Sequence, residues 1–116
     1  MIDRINGISA SLAGLSAYDA QLANTAHNVA NANSDGYKKT VATVSEDDAG
    51  LPKVNITKSD SPGPMIQVDG VLKETSNVDL AEEIPQMILA QRAYEANIKA
   101  LKAQDETLKS TLDILV

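Results

Sequence analysis

The chain has 116 residues, a net charge of −6 at pH 7, and neither cysteine, phenylalanine nor tryptophan. That length holds one domain at most, and the missing cysteine excludes disulfides, thiolate nucleophiles and thiolate metal sites. The acidic balance, with basic residues scattered instead of striped, argues against nucleic acid as a partner, and no apolar run approaches the ~18 residues of a membrane span.

The first predicted element is a helix. Residues 5–29 carry a seven-residue repeat with Ile5, Leu12, Asp19 and Ala26 at positions a and Ile8, Leu15, Leu22 and Val29 at positions d, the pattern of a coiled-coil seam. Asp3 is a plausible N-cap. The opening residues hold one Arg balanced by an Asp and no solid apolar block, a poor fit to a secretory signal. Near the end of the repeat come four asparagines, Asn24, Asn28, Asn31 and Asn33. One C-cap needs one such residue. Asn24 and Asn31 fall at f and Asn28 at c, a stripe expected opposite the seam, where the amides meet either water or a neighbouring molecule.

Residues 40–76 contain Pro52, Pro62 and Pro64 and no helical period. The Asp69-Gly70 pair between short apolar-polar runs predicts a hairpin turn, and "VATV" and "KVNIT" read as short strands. A second, longer helix follows. Its d positions are Leu80, Met87, Tyr94, Leu101, Leu108 and Leu115, and its a positions Ile84, Gln91, Ile98, Asp105 and Leu112. Asp79 and Glu82 resemble a capping box. Pro85, a turn and a half inside, predicts a kink or a first turn set apart. The fold class is therefore mainly α, with long N- and C-terminal helices pairing as a coiled coil around a small irregular or β-hairpin middle. The expected divisions of this one unit are 1–36, 37–76 and 77–116.

Catalytic chemistry is hard to find. His27 is the single histidine, so it has no second imidazole or thiolate with which to share a metal. Glu82-Glu83 and Asp47-Asp48 are adjacent, so their side chains diverge on a helix. "SEDDAG" lacks the alternating oxygen ligands of a calcium loop, and no phosphate cradle or nucleophile arrangement is present. No enzyme activity, cofactor, metal or small-molecule substrate is expected. Asp19, Gln91 and Asp105, polar at a positions, are expected to fix helix register. Ile2, Ile114 and Val116 lie off the seam, and apolar ends of this kind read as a subunit that needs neighbours.

Two stretches carry a resemblance. "LAGLSAYDAQLANTAHNVANANSDGYKK" resembles the N-terminal signature of bacterial flagellar rod and hook proteins, and "SNVDLAEEIPQMILAQRAYEANIKALKAQDETLKSTLDIL" resembles the C-terminal one. The resemblance implies a structural subunit of the basal-body rod whose terminal helices pair and pack with neighbours into a torque-transmitting helical tube. It implies partners among rod proteins and the flagellar type III export apparatus, and a place in the periplasmic rod reached without a cleaved signal peptide. Asn28, Asn31, Asn33, Gly36 and Tyr37 would mark the helix exit and inter-subunit contacts, with Gln91, Arg92, Tyr94 and Asn97 as counterparts on the second helix. The short middle excludes a large outer β domain and suggests a small proximal-rod type. The main alternative is a soluble coiled-coil adaptor or export chaperone of the same secretion system.

Overall fold

The structure, a computed structural model, describes the backbone of residues 2–115 and the side chains of residues 7–115. The expected seam residue Ile5, and the off-seam Ile2 and Val116, have side chains outside the described residues. In chain order the elements are α1 (Ile2–Ala30), β1 (Thr40–Glu46), β2 (Pro52–Lys58), β3 (Met65–Val68), β4 (Val71–Glu74) and α2 (Leu80–Leu115). The helices lie side by side and antiparallel in a rod of 78 × 25 × 15 Å.

Each hairpin forms where the turn chemistry allows it. β1 and β2 pair antiparallel from Thr40↔Lys58 to Glu46↔Pro52. Their turn is held by Asp47, whose Oδ1 accepts from the amides of Ala49 and Leu51, each at 2.9 Å. β3 and β4 pair from Met65↔Glu74 to Val68↔Val71. Asp69 and Gly70 both have positive φ, 50° and 81°, which matches the strand twist in a two-residue hairpin. The two hairpins remain separate two-stranded sheets.

α2 begins at its expected cap. Asp79 Oδ1 accepts from the Ala81 amide at 2.9 Å, and the Asp79 carbonyl accepts from Glu82 and Glu83. The reciprocal arm of a capping box is absent, because the Glu82 carboxylate turns to Lys39. Pro85 does not set the first turn apart. Helix is continuous from Leu80 to Leu115, and Pro85 stands exposed on its surface, where its ring meets solvent and costs one donor to the Ala81 carbonyl.

The seam between the helices differs in phase from the a/d expectation. On α1 the residues turned inward are Gly7, Ser11, Gly14, Tyr18, Gln21, Thr25 and Asn28. On α2 they include Glu83, Met87, Ala90, Tyr94, Asn97, Leu101, Gln104 and Leu108. Both sets keep the alternating spacing of three and four that puts residues on one helix face. The seam therefore uses c and g on α1 and d and g on α2. Ser11 Oγ donates to Gln104 Oε1 at 3.2 Å, and a Cβ at Gly14 would stand 2.5 Å from Asn97 Oδ1. Small residues let the backbones approach closely enough for amide side chains to fill the gap.

The expected a positions Leu12, Ile84, Ile98 and Leu112 are instead 42–52% exposed, and Leu80 and Leu115 at d are also exposed. The d positions Ile8, Leu15, Leu22, Val29, Met87, Tyr94, Leu101 and Leu108 are half-buried. Asp19, Gln91 and Asp105 are exposed as well, so they do not intrude on the seam and cannot set its register within one chain. Among the described residues the buried apolar side chains are Ala17, Ala42 and Ala90. The described residues thus bury small side chains and leave the large apolar ones half-buried or exposed.

Close packing at Gly14 predicts opposite effects for two similar substitutions. Gly→Ala in a helix recovers about 1 kcal/mol of propensity. At Gly7 the obstructing atom is the flexible tip of Gln104, 2.8 Å from a built Cβ, so Gly7→Ala should be neutral or stabilising. At Gly14 the obstacle is the shorter Asn97 amide, tethered by its own bond to the Ala93 carbonyl at 2.9 Å. Overpacking there costs about 1–3 kcal/mol, and Gly14→Ala should lower the thermal midpoint. Equal stabilisation by the two substitutions would contradict this seam.

Candidate functional site

The two signature stretches meet in space where α1 ends and α2 begins. Asn28 is the centre of this junction and is 1% exposed. Its Nδ2 donates to the Thr40 carbonyl at 2.7 Å and its Oδ1 accepts from the Thr40 amide at 3.1 Å. One side chain thus copies the donor-acceptor pair that a neighbouring strand would offer. The same Oδ1 accepts from Tyr37 Oη at 3.0 Å. One turn earlier, Asn24 Nδ2 donates to the Thr40 carbonyl at 2.9 Å, and Gln21 Nε2 reaches the Ala42 carbonyl at 3.2 Å. The asparagine stripe expected to face water or a neighbour is largely taken up by this chain's own first strand. β1 lies along α1 because amides at 21, 24 and 28 hold its backbone.

The remaining asparagines divide by role. Asn31 ends α1, donating from Nδ2 to the His27 carbonyl at 2.9 Å and accepting from Ser34 Oγ at 3.0 Å. Asn33 is exposed, and no described side chain bonds to its amide. Gly36 adopts φ 69°, the left-handed bend that redirects the chain, and its amide donates to the Glu74 carbonyl at 2.9 Å. Asn77, which the sequence reading did not single out, is the second hub. Its amide N donates to the Tyr37 carbonyl at 3.1 Å, its Oδ1 accepts from the Lys39 amide at 2.6 Å, and its Nδ2 donates to the Ser61 carbonyl at 2.9 Å. The position of an Asn two residues before an Asp N-cap was the available signal.

Charge reinforces the junction. Lys38 pairs with Glu74, Lys39 with Glu82 at 2.8 Å, and Lys73 with Asp35 at 3.0 Å. The Lys38 hydrogen bond, helped by the Gly63 amide, holds the Glu74 carboxyl below its ordinary value. The bond to Glu82 raises Lys39, with the nearby charges of Glu83 and Asp79 adding to it. Burial raises the Tyr37 phenol, and the charge of Glu83 pushes it further in the same direction. His27 stacks edge-on to Tyr37 with ring centroids 5.8 Å apart. Among the described residues no group of three or more His, Cys, Asp or Glu could hold a metal, and no helix is long and apolar enough to cross a membrane.

A second feature lies on the opposite side of the rod from the β1–β2 hairpin. The hairpin covers Ala13, Ala17 and Ala20 of α1, where Pro52 and Val54 approach. Across from it, Ile8 shares an open groove of about 500 Å³ with Ile98, Leu101, Lys102 and Asp105. Leu12, Ile84, Ile88 and Leu112 extend the apolar surface along both helices. Gln91 and Arg92 are exposed on α2, while Tyr94 and Asn97 turn toward α1.

Residues 68–114, which hold the tip of the second hairpin and all but the last residue of α2, match the family described as flagellar basal body rod FlgEFG protein C-terminal. The chain thus carries a segment similar to the C-terminal part of flagellar basal-body rod and hook proteins. It is 43% identical over 70 residues to the flagellar basal-body rod protein FlgG of Borreliella burgdorferi, covering 60% of this chain and 23% of that protein. Against the FlgG of Bacillus subtilis it is 29% identical over 83 residues, covering 72% of this chain and 31% of the relative. Against the flagellar hook protein FlgE of Escherichia coli K12 it is 44% identical over 41 residues, covering 35% of this chain and 10% of the relative. The chain matches less than a third of the length of each of these rod and hook proteins, and the family is a structural one rather than a family of enzymes.

The Asn28 junction generates a graded prediction. Asn28→Ala removes the acceptor of the Thr40 amide and of the Tyr37 hydroxyl, leaves the Thr40 carbonyl to Asn24 alone, and should cost about 2 kcal/mol in chemical unfolding. Asn33→Ala, at an exposed amide, should stay within about 0.5 kcal/mol. Equal effects would show that the amides are interchangeable surface groups. The ion pairs set the pH dependence. The lowered Glu74 contributes stability that is present above its usual value of 4.5 and lost as pH falls through its folded value. The raised Lys39 contributes stability that is complete below 10.5 and lost as pH rises through its folded value. Thermal midpoints should be flat between those limits, and Glu74→Gln should remove part of the acid slope; a slope unchanged by that substitution would contradict the assignment.

Proposed function

We propose that the chain is a structural subunit of the bacterial flagellar basal-body rod, associating with copies of itself and with other rod proteins. In this reading the paired helices stand in the wall of a helical tube in the periplasm that transmits torque. The subunit arrives there through the flagellar type III export apparatus.

The carrying observation is the apolar surface of Leu12, Ile84, Ile98 and Leu112, all at heptad a positions, with Ile88 beside them, which the described residues leave exposed. Large contiguous apolar surface on a soluble chain marks an interaction site, and heptad spacing is the geometry by which helices of different chains interlock as a coiled coil. The heptad face therefore serves contacts between subunits, while the small and amide residues close the helix pair within each subunit. Asn33, Gln91 and Arg92 are exposed, which supports a part for them in inter-subunit contacts. Asn28, Asn31, Gly36 and Tyr37 contribute by fixing the angle at which α1 meets β1.

Sedimentation velocity over a wide concentration range tests this. The wild-type chain should grow into large, polydisperse species as concentration rises. Ile98→Asp, at an exposed site, should keep its helix content and remain monomeric. A sharp monomer or closed dimer for the wild type at every concentration would contradict self-association through this face.

A further inference from the structure

We propose that Asp69–Gly70 is a covalent modification site, at which the aspartate of the folded chain isomerises to isoaspartate without an enzyme. The reaction is independent of the subunit reading above.

The chemistry needs only water. The Gly70 amide nitrogen attacks Cγ of the Asp69 carboxylic acid and forms an N–C bond that closes a five-membered succinimide. The amide proton and the carboxyl hydroxyl leave together as one water. A second water then opens the ring at one of its two carbonyls. Opening at Cγ restores aspartate. Opening at the former main-chain carbonyl leaves the chain running through Cγ, with one more methylene in the backbone and the original mass. Such an intramolecular closure is fast where the nitrogen is free to turn toward the carboxyl, and glycine, lacking a Cβ, hinders it least.

The chain has two Asp-Gly steps, Asp35–Gly36 and Asp69–Gly70, and the fold treats them differently. At the first, the Gly36 amide donates to the Glu74 carbonyl at 2.9 Å, and Asp35 Oδ2 accepts from Lys73 Nζ at 3.0 Å. Both reacting groups are engaged. At the second, no hydrogen bond from a described residue holds the Gly70 amide or the Asp69 carboxylate, and both residues are exposed. β3 and β4 pack on each other and on no other helix or strand, and a lone two-stranded hairpin is marginal in water. The left-handed bend at Asp69, φ 50°, must open to bring nitrogen and carboxyl together. Only the short ladder from Met65↔Glu74 to Val68↔Val71 opposes that opening. Elsewhere, the Ser34 amide of Asn33–Ser34 donates to the Asn31 carbonyl at 3.1 Å, and Asn6–Gly7 lies within α1.

The product reshapes the hairpin. An extra backbone atom in a two-residue turn breaks its match to the strand twist, so Val68↔Val71 unpairs first. The far end stays fixed, because the Glu74 carbonyl accepts from Gly36 and its carboxylate accepts from the Gly63 amide at 2.9 Å. Val71 and Leu72, 63% and 66% exposed, are re-aimed while the junction keeps its bonds.

The test ages the full wild-type chain at neutral pH and physiological temperature, folded and in denaturant. Peptide mapping and isoaspartate-specific carboxyl methylation follow the product at each step. In the folded chain, isoaspartate should form at position 69 at least about tenfold faster than at position 35, whose two hydrogen bonds must break first. In denaturant the two rates should converge, because the reacting dipeptides are identical. Product that is absent at position 69 in the folded chain, or that forms as fast at position 35, overturns the proposal. A gap that survives in denaturant overturns it as well, since flanking sequence and not the fold would then set the rates. Asp69→Glu cannot close the five-membered ring, and methylation undiminished in that variant would place the site elsewhere.

Discussion

The structure depends on the two-way bond between the Asn28 amide and the backbone of Thr40. A strand that leaves a helix and runs back along it has an edge of unpaired amides and carbonyls, and burying them without partners is expensive. An asparagine side chain presents a donor and an acceptor at about the spacing of a peptide group, so one residue pairs both groups of Thr40. Glutamine two turns earlier and asparagine one turn earlier extend the same device to Ala42 and again to Thr40. The small hairpin gains a third edge made of side chains, and it needs that edge because two strands alone are marginal in water.

From this anchor the rest of the geometry follows. With β1 fixed to α1, the exit turn is held beside the segment that precedes α2. Gly36, Tyr37 and Lys39 then meet Glu74 and Asn77. The helices enter side by side, and Gly7, Ser11 and Gly14 let Asn97 and Gln104 lie against α1. The polar and small residues thereby consume the interior. What remains for the outer surface is the heptad of large apolar side chains, the property on which the assembly proposal rests.

Much of the fold was legible in the sequence. Both helices, the Asp79 cap, the strand segments and the Asp69-Gly70 turn follow from periodicity and turn chemistry. The seam phase was not. A periodic apolar stripe shows that a helix face will be covered, but not whether a helix of the same chain covers it. The informative signal was a second, parallel periodicity in Gly7, Ser11, Gly14, Gln21, Thr25 and Asn28, which reads as polarity until close backbone approach gives it a purpose. The asparagine stripe was misplaced for the same reason. Seen from the heptad it lies outside, whereas Asn24 and Asn28 pair the strand that the helix leads into. The inward position of Glu83 was likewise hidden, because an acidic residue in a first turn normally faces solvent at the positive end of the helix.

The phase of the seam can be tested most directly by trapping it, and the natural absence of cysteine makes this simple. In dilute, monomeric chain carrying Ser11→Cys and Gln104→Cys, mild oxidation should rapidly form a disulfide within one molecule. The pair Leu12→Cys and Ile98→Cys, both at heptad a, should not form one under the same conditions. Rapid intrachain bonding of Leu12→Cys to Ile98→Cys, with none between positions 11 and 104, would return the apolar heptad to the interior and contradict the account.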